Sequence, residues 1–145
     1  MNLNQPNRGI IVGAGPVGLG AALFLTLYGQ FPRVVEMRDE PSQQSKALAV
    51  NPRTLDILEP TGLTGQMLEL GMPIHGGRFY REGELLAAIS FADIHPKYPY
   101  MLALSQAVTE RLLAQGFEAA GGKVEHRAST FPTESAINWR PAAST

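Results

Sequence analysis

The sequence predicts an α/β protein whose core is a parallel β-sheet. Three observations predict this fold class: an apolar run at residues 9–13 leads into a glycine-rich turn, a long apolar stretch follows at 16–29, and a second apolar run lies at 33–37. Strand, helix and strand in this order, within about 30 residues, are typical of a βαβ unit. The chain has 145 residues, which is enough for one domain with a hydrophobic core.

The turn after the first predicted strand reads Gly13-Ala14-Gly15-Pro16-Val17-Gly18 and has the spacing Gly-x-Gly-x-x-Gly. Glycines at these positions allow a tight turn and a close approach of the backbone to a pyrophosphate, and the following helix N-terminus offers free N–H groups to the phosphates. Glu36 ends the second predicted strand, where a carboxylate can accept hydrogen bonds from ribose hydroxyls. The combination predicts a Rossmann-like unit that binds a dinucleotide, against the alternative of a glycine-rich turn without a ligand.

A membrane-spanning helix is a second alternative, because residues 9–29 are nearly all apolar and Gly9 and Gly13 have the spacing of a helix dimerisation motif. Pro16 and the dense glycines disfavour this alternative, since proline at this point suits the first turn of a soluble helix. The polar residues before Gly9 lack the pattern of a signal peptide. We therefore expect a cytoplasmic protein that does not insert into a membrane.

The composition of the chain disfavours several kinds of binding partner and site. Twelve basic and thirteen acidic residues leave a net charge of −1, which gives no electrostatic reason to bind nucleic acid or an anionic membrane. The chain has no cysteine, and this excludes disulfides, thiolate metal sites and thiol catalysis. Its three histidines are far apart in the sequence without metal-ligand spacing, so we expect no metal site.

The remainder of the chain predicts further helices and strands around the βαβ unit. A short helix should follow Asn51, and a second should carry Leu63, Met67 and Leu70 and end at Gly71. A β-hairpin should lie at about 75–91, a helix at about 106–120 and a third parallel strand at 123–126. A hairpin is out of place in a simple doubly wound sheet. We therefore assign the hairpin to a partial second domain, inserted into the first.

Several segments, taken in order, make the chain resemble the N-terminal part of the FAD-dependent aromatic hydroxylases. These are single-component flavoprotein monooxygenases that include p-hydroxybenzoate and phenol hydroxylases. The resemblance covers roughly residues 9–127, and the segments that carry it are 13–19, 35–38, 45–47, 52–58, 62–63 and 104–113. It implies a partial FAD-binding domain at 1–127, with the hairpin as part of a truncated substrate domain, and leaves 128–145 as an irregular tail.

The resemblance also implies roles for individual residues. The pyrophosphate of FAD would lie against Gly13, Gly15 and Gly18, and Glu36 would hold the AMP ribose with Arg38 beside it. Lys46 stands where the family usually has an arginine near the flavin side of the cofactor, and lysine cannot make the planar two-pronged contact of arginine. Gln106 matches a family glutamine that touches the linker of the cofactor. From the residues alone, Arg38, Lys46 and Gln106 are equally well interpreted as ordinary surface or first-turn residues.

The implied chemistry belongs to the flavin, so we assign no catalytic side chain. In the resembled family NAD(P)H reduces FAD, and the reduced flavin uses O₂ to hydroxylate an aromatic substrate. Two later family motifs, which contact the flavin ribityl and separate the FAD and NAD(P)H regions, do not occur in this sequence. We therefore expect the FAD-binding portion of a monooxygenase that needs missing C-terminal segments or a partner chain. The alternative is a non-catalytic fragment that binds FAD or ADP, or an inactive truncated remnant.

Overall fold

The computed structural model describes residues 9–38 and 49–126, which form eight strands, four α-helices and one 3₁₀ turn. Lys46 and the proposed tail at 128–145 lie outside the described residues. The strands are β1 Ile10–Val12, β2 Arg33–Glu36, β3 Ala49–Val50, β4 Met72–Ile74, β5 Gly76–Arg81, β6 Glu84–Ser90, β7 Met101–Ala103 and β8 Val124–His126. The helices are α1 Pro16–Leu27, α2 Pro52–Leu58, α3 Leu63–Leu70 and α4 Gln106–Ala119, and the 3₁₀ turn is Glu59–Thr61.

The predicted βαβ unit forms a three-stranded parallel sheet in the order β1-β2-β8. The third strand, predicted at 123–126, is confirmed beside β2, and it places the carboxyl end of β8 next to Glu36. Arg33 on β2 makes a two-pronged ion pair with Glu125 on β8, with N···O distances of 2.9 and 2.7 Å. Because both side chains are exposed, this pair contributes little to the stability of the fold.

The hydrophobic core lies where α1 packs against α4. Leu19, Ala22 and Leu23 of α1 are buried with Leu112, Leu113 and Phe117 of α4. Helix α1 begins at Pro16 and has 12 residues, so it is shorter than the apolar stretch that predicted it. Within 9–38 and 49–126, no helix has the length and apolarity needed to cross a membrane.

A second, antiparallel sheet in the order β3-β7-β4 was not predicted from the sequence. Its strands have only two or three residues each, which is too short for an alternating pattern to show. Residues far apart in the sequence, such as Val50 and Leu102, are paired in this sheet. Strands β3 and β4 lie on either side of the two short helices in the sequence, and β7 directly precedes α4, so the sheet connects these helices to the start of α4.

The predicted hairpin is confirmed as strands β5 and β6, which pair with each other and form a sheet separate from the other two. Its turn has positive φ at both central residues, +52° at Glu82 and +89° at Gly83, as in the turns that match the twist of a hairpin. Both faces of the hairpin expose large apolar side chains, namely Phe79, Tyr80, Leu85, Leu86 and Ile89. Its assignment to a partial second domain stays a prediction.

Gly18 determines how closely α1 can approach β1. A Cβ built on Gly18 would overlap the carbonyl oxygen of Gly13 and lie 3.3 Å from Cγ2 of Ile11. We expect Gly18→Ala to lower the free energy of unfolding by about 2 kcal/mol, because overpacking forces the helix away from the strand. Urea denaturation followed by circular dichroism measures this change.

Gly20 provides the matched control in the same helix, since a Cβ there meets no atom within 4 Å. Gly20→Ala should raise the free energy of unfolding by roughly 0.5–1 kcal/mol through helix propensity alone. Equal stability changes for the two variants would contradict the close packing at Gly18.

Candidate functional site

The glycine turn is fastened to the second strand by its backbone. Gly13 has φ +99°, in the left-handed region that side chains other than glycine rarely adopt. In this conformation its N–H donates a 2.8 Å hydrogen bond to the carbonyl oxygen of Val35. The turn is therefore held over the carboxyl end of the parallel sheet, which is where such sheets bind ligands.

Gly15 differs from Gly13 and Gly18, because the described part of the fold does not require a glycine at this position. It precedes α1 with φ −77° and ψ 178°, an extended conformation open to any residue. A Cβ on Gly15 would meet only Oε1 of Glu110, at an ordinary contact distance of 3.9 Å. The space above Gly15 is thus left for something other than these parts of the chain, as a backbone that receives a pyrophosphate requires.

The first turn of α1 suits an anion. No side chain caps this helix end by a hydrogen bond among the described residues, and its first turn contains no acidic residue. Pro16 removes one N–H at the start of the helix, while the N–H groups of Val17 and Gly18 precede the first intrahelical bond, which Leu19 donates to Gly15. These N–H groups and the positive end of the helix dipole favour a phosphate at this point.

The Glu36 carboxylate joins the end of β2 to the glycine turn. Its Oε2 accepts a 2.9 Å hydrogen bond from the N–H of Ala14, and its Oε1 accepts one of 2.9 Å from the N–H of Arg38. The guanidinium of Arg38 adds two longer contacts of 3.3 Å, one to each oxygen. Glu36 is buried, with 8% of its surface exposed, so these donors replace most of its contact with water.

Hydrogen bonds keep Glu36 ionised although burial opposes its charge. The side chain of Arg38, helped by the backbone N–H groups of Arg38 and Ala14, lowers the pKa of Glu36 to about 2, while burial acts in the opposite direction. The same pairing raises the pKa of Arg38. Glu36 is therefore an acceptor at neutral pH, as a group that binds ribose hydroxyls must be.

Helix α4 contributes a polar pair that faces the glycine turn. Its first residue, Gln106, follows the N-cap Ser105, whose Oγ accepts a hydrogen bond from the N–H of Val108. Nε2 of Gln106 donates a 2.7 Å hydrogen bond to Oε1 of Glu110, which is 5% exposed. Sequence reasoning missed Glu110; the available signal was an acidic residue one turn after Gln106 on the side of the helix that carries its apolar stripe.

Several of these groups line a cavity of about 560 Å³, which is in the size range of ligand sites. Its lining includes Ala14, Glu36, Arg38, Glu110, Arg111 and His126. His126, at the end of β8, lies with Nδ1 3.1 Å from the carbonyl oxygen of Arg38. Of the predicted site residues, Glu36 and Arg38 line this cavity. Gly13, Gly15 and Gly18 lie in the turn that Ala14 connects to Glu36, and Gln106 is connected to the cavity through its hydrogen bond to Glu110.

Comparison with known families agrees with this geometry. The model of the FAD binding domain matches residues 8–135. The chain belongs to this FAD-binding family. The match includes the glycine turn, Glu36 and all of α4, so the cavity described above lies within the family's domain.

The chain is similar to several proteins that are much longer than it is. The uncharacterized aromatic compound monooxygenase YhjG of Bacillus subtilis is 35% identical over 79% of this chain, and the rifampicin monooxygenase of Streptomyces venezuelae is 34% identical over 79%. The crystal structure of p-nitrophenol 4-monooxygenase PnpA from Pseudomonas putida is similar with a TM-score of 0.75 and 27% identity over 83% of this chain. The chain spans 22%, 24% and 32% of these three proteins, respectively.

The lowered pKa of Glu36 makes its contribution to stability depend on pH. An acid with a depressed pKa in the folded state stabilises the fold above its unfolded pKa, near 4.5, and this contribution is lost as the pH falls towards about 2. We expect Glu36→Gln to lower the free energy of unfolding at pH 7 by about 2 kcal/mol. Denaturation of both proteins between pH 7 and pH 2 should show the difference shrinking below about pH 4.5.

The Glu125→Gln variant is a suitable control, because Glu125 also pairs with an arginine but is exposed. Its effect on stability at pH 7 should be much smaller than that of Glu36→Gln, because solvent screens an exposed ion pair. A pH-independent loss of stability in Glu36→Gln would show that the ionised carboxylate is not what holds the turn.

Proposed function

We propose that the cavity binds the ADP half of FAD, with the pyrophosphate over the glycine turn and the AMP ribose at Glu36. The observation that carries this proposal is the open space above Gly15, which neither the backbone conformation nor the neighbouring side chains explain. The N–H groups at the start of α1, which no described side chain caps, support a phosphate beside Gly13, Gly15 and Gly18. The ionised Glu36, a short distance from the same turn, supports an adjacent sugar with hydroxyl donors.

The hydrogen bonds of Glu36 suggest how a ribose would be accommodated. Each carboxylate oxygen already accepts one short backbone bond and one longer contact from Arg38. Ribose hydroxyls would take the place of the longer guanidinium contacts, and the two backbone bonds would hold the carboxylate in position. Arg38 would then remain beside the AMP portion, while Gln106 and Lys46 would meet the linker and the flavin side of the cofactor.

For the whole protein, we propose an NAD(P)H-dependent flavin monooxygenase that hydroxylates an aromatic compound. The names of the similar proteins support this activity, and the share of their length that the chain spans supports a need for further segments. Bound FAD supplies the redox chemistry with O₂, and the described residues bind and orient it. The alternative is a chain that binds FAD or ADP without turnover. Since we propose no catalytic side chain, the described residues suit a monooxygenase and a binding-only chain equally well.

Gly15→Ala tests the cofactor site without disturbing the fold. We expect the Kd for FAD to rise at least about tenfold, because the added methyl group occupies the space proposed for the pyrophosphate. The unfolding midpoint should stay within about 2 °C of the parent, since the methyl group meets only Glu110 at 3.9 Å. Quenching of flavin fluorescence measures the affinity, and Gly20→Ala is the matched control.

Unchanged FAD affinity in Gly15→Ala, with the fold intact, would refute the proposed site. A separate measurement distinguishes the two proposed activities. NAD(P)H oxidation by the FAD-loaded chain, stimulated by a phenolic compound, would support a monooxygenase, whereas tight FAD binding without such oxidation would support the binding-only alternative.

A further inference from the structure

Glu110 is a buried carboxylate to which the proposed function gives no role. It lies on the side of α4 that packs near α1, and only 5% of its surface is exposed. Removing a carboxylate from water is costly unless its hydrogen bonds are replaced. Within the described residues, the side chain that donates to it is Gln106.

One oxygen of Glu110 connects two parts of the site. Oε1 accepts the 2.7 Å hydrogen bond from Nε2 of Gln106, and the same atom would lie 3.9 Å from a Cβ built on Gly15. The Nε2 atom of Gln106 is thereby held 2.7 Å from an oxygen that lies beside Gly15. Glu110 lines the cavity and Gln106 does not, so Glu110 is the member of the pair that connects the amide to the proposed ligand site.

Stabilisation of α4 alone does not account for this placement. Pairs of polar residues four apart stabilise exposed helices by about 0.2–0.5 kcal/mol. The same pair on the solvent side of α4 would provide that stabilisation without burying a charge. The position of Glu110, against the turn and the cavity, therefore needs a reason that involves the site.

We propose that Glu110 is a positioning residue that fixes the amide of Gln106 for contact with the phosphate linker of the dinucleotide; this inference rests on the proposed function. A glutamine amide has two N–H donors, and Glu110 accepts one of them, which leaves the second in a fixed orientation. Without Glu110 the side chain of Gln106 samples several rotamers, and binding must then order it at an entropic cost.

Because Glu110 carries a negative charge, its removal affects FAD binding in opposite directions through electrostatics and through the orientation of Gln106. A carboxylate beside a diphosphate repels it, so loss of the charge would by itself tighten binding. Weaker binding after removal of Glu110 therefore reports a lost orientation and not a lost charge. Glu110→Gln keeps an acceptor oxygen for the Gln106 amide while removing the charge.

A double-mutant cycle on FAD affinity tests the proposal, with Gln106→Ala, Glu110→Ala, the double variant and Glu110→Gln measured by flavin fluorescence. We expect each alanine variant to raise Kd about five- to tenfold, and the double variant to bind no more weakly than either. Glu110→Gln should stay within about twofold of the parent. If Glu110→Ala does not fold, Glu110→Met replaces it in the cycle, because it keeps the volume without the acceptor.

Three results would overturn the inference: additive effects of the two alanine substitutions, unchanged affinity in Glu110→Ala, or equally weak binding by Glu110→Gln. Thermal unfolding without FAD, measured in parallel, separates a loss of fold from a loss of affinity. Gly15→Ala distinguishes the two proposals. If it weakens FAD binding while Glu110→Ala does not, only the positioning role fails; if it leaves binding unchanged, the cofactor site itself fails.

Discussion

The hydrogen bond from the N–H of Ala14 to Oε2 of Glu36 is the contact on which the rest of the site depends. It joins the glycine turn to the end of β2 over a distance of 2.9 Å, and Gly13 reinforces the connection by donating to Val35. The turn can point its free N–H groups towards a ligand only if it stays over the carboxyl end of the sheet. A single carboxylate thus organises the protein backbone and, in the proposed function, also receives the sugar.

The three glycines of the turn serve three different physical needs. Gly13 supplies a positive φ, and Gly18 allows α1 to pack directly on the turn, so both serve the fold itself. Gly15 has an ordinary backbone conformation and no crowded neighbour. The structure therefore divides a motif that is uniform in the sequence into two glycines that the fold requires and one, Gly15, that the described part of the fold does not require.

Much of this arrangement could be predicted because its signals are local. The glycine spacing, the apolar runs on either side and the position of Glu36 predicted the βαβ unit, and the hairpin was predicted at about 75–91. The antiparallel sheet could not be predicted, since the pairing of Val50 with Leu102 joins strands of two and three residues that carry no periodic pattern. Glu110 was missed for a related reason: an acidic residue in a helix is usually solvated, whereas this one is buried once the chain has folded.

The sequence by itself determined the βαβ unit, the family resemblance and the residues proposed for a dinucleotide site, because each follows from spacing within a short stretch of chain. Tertiary structure alone decided that β8 lies beside β2, that α4 lines the cavity and that Glu110 lies near Gly15. Such contacts join residues from distant parts of the chain, and their geometry exists only once the helices have packed on the sheet.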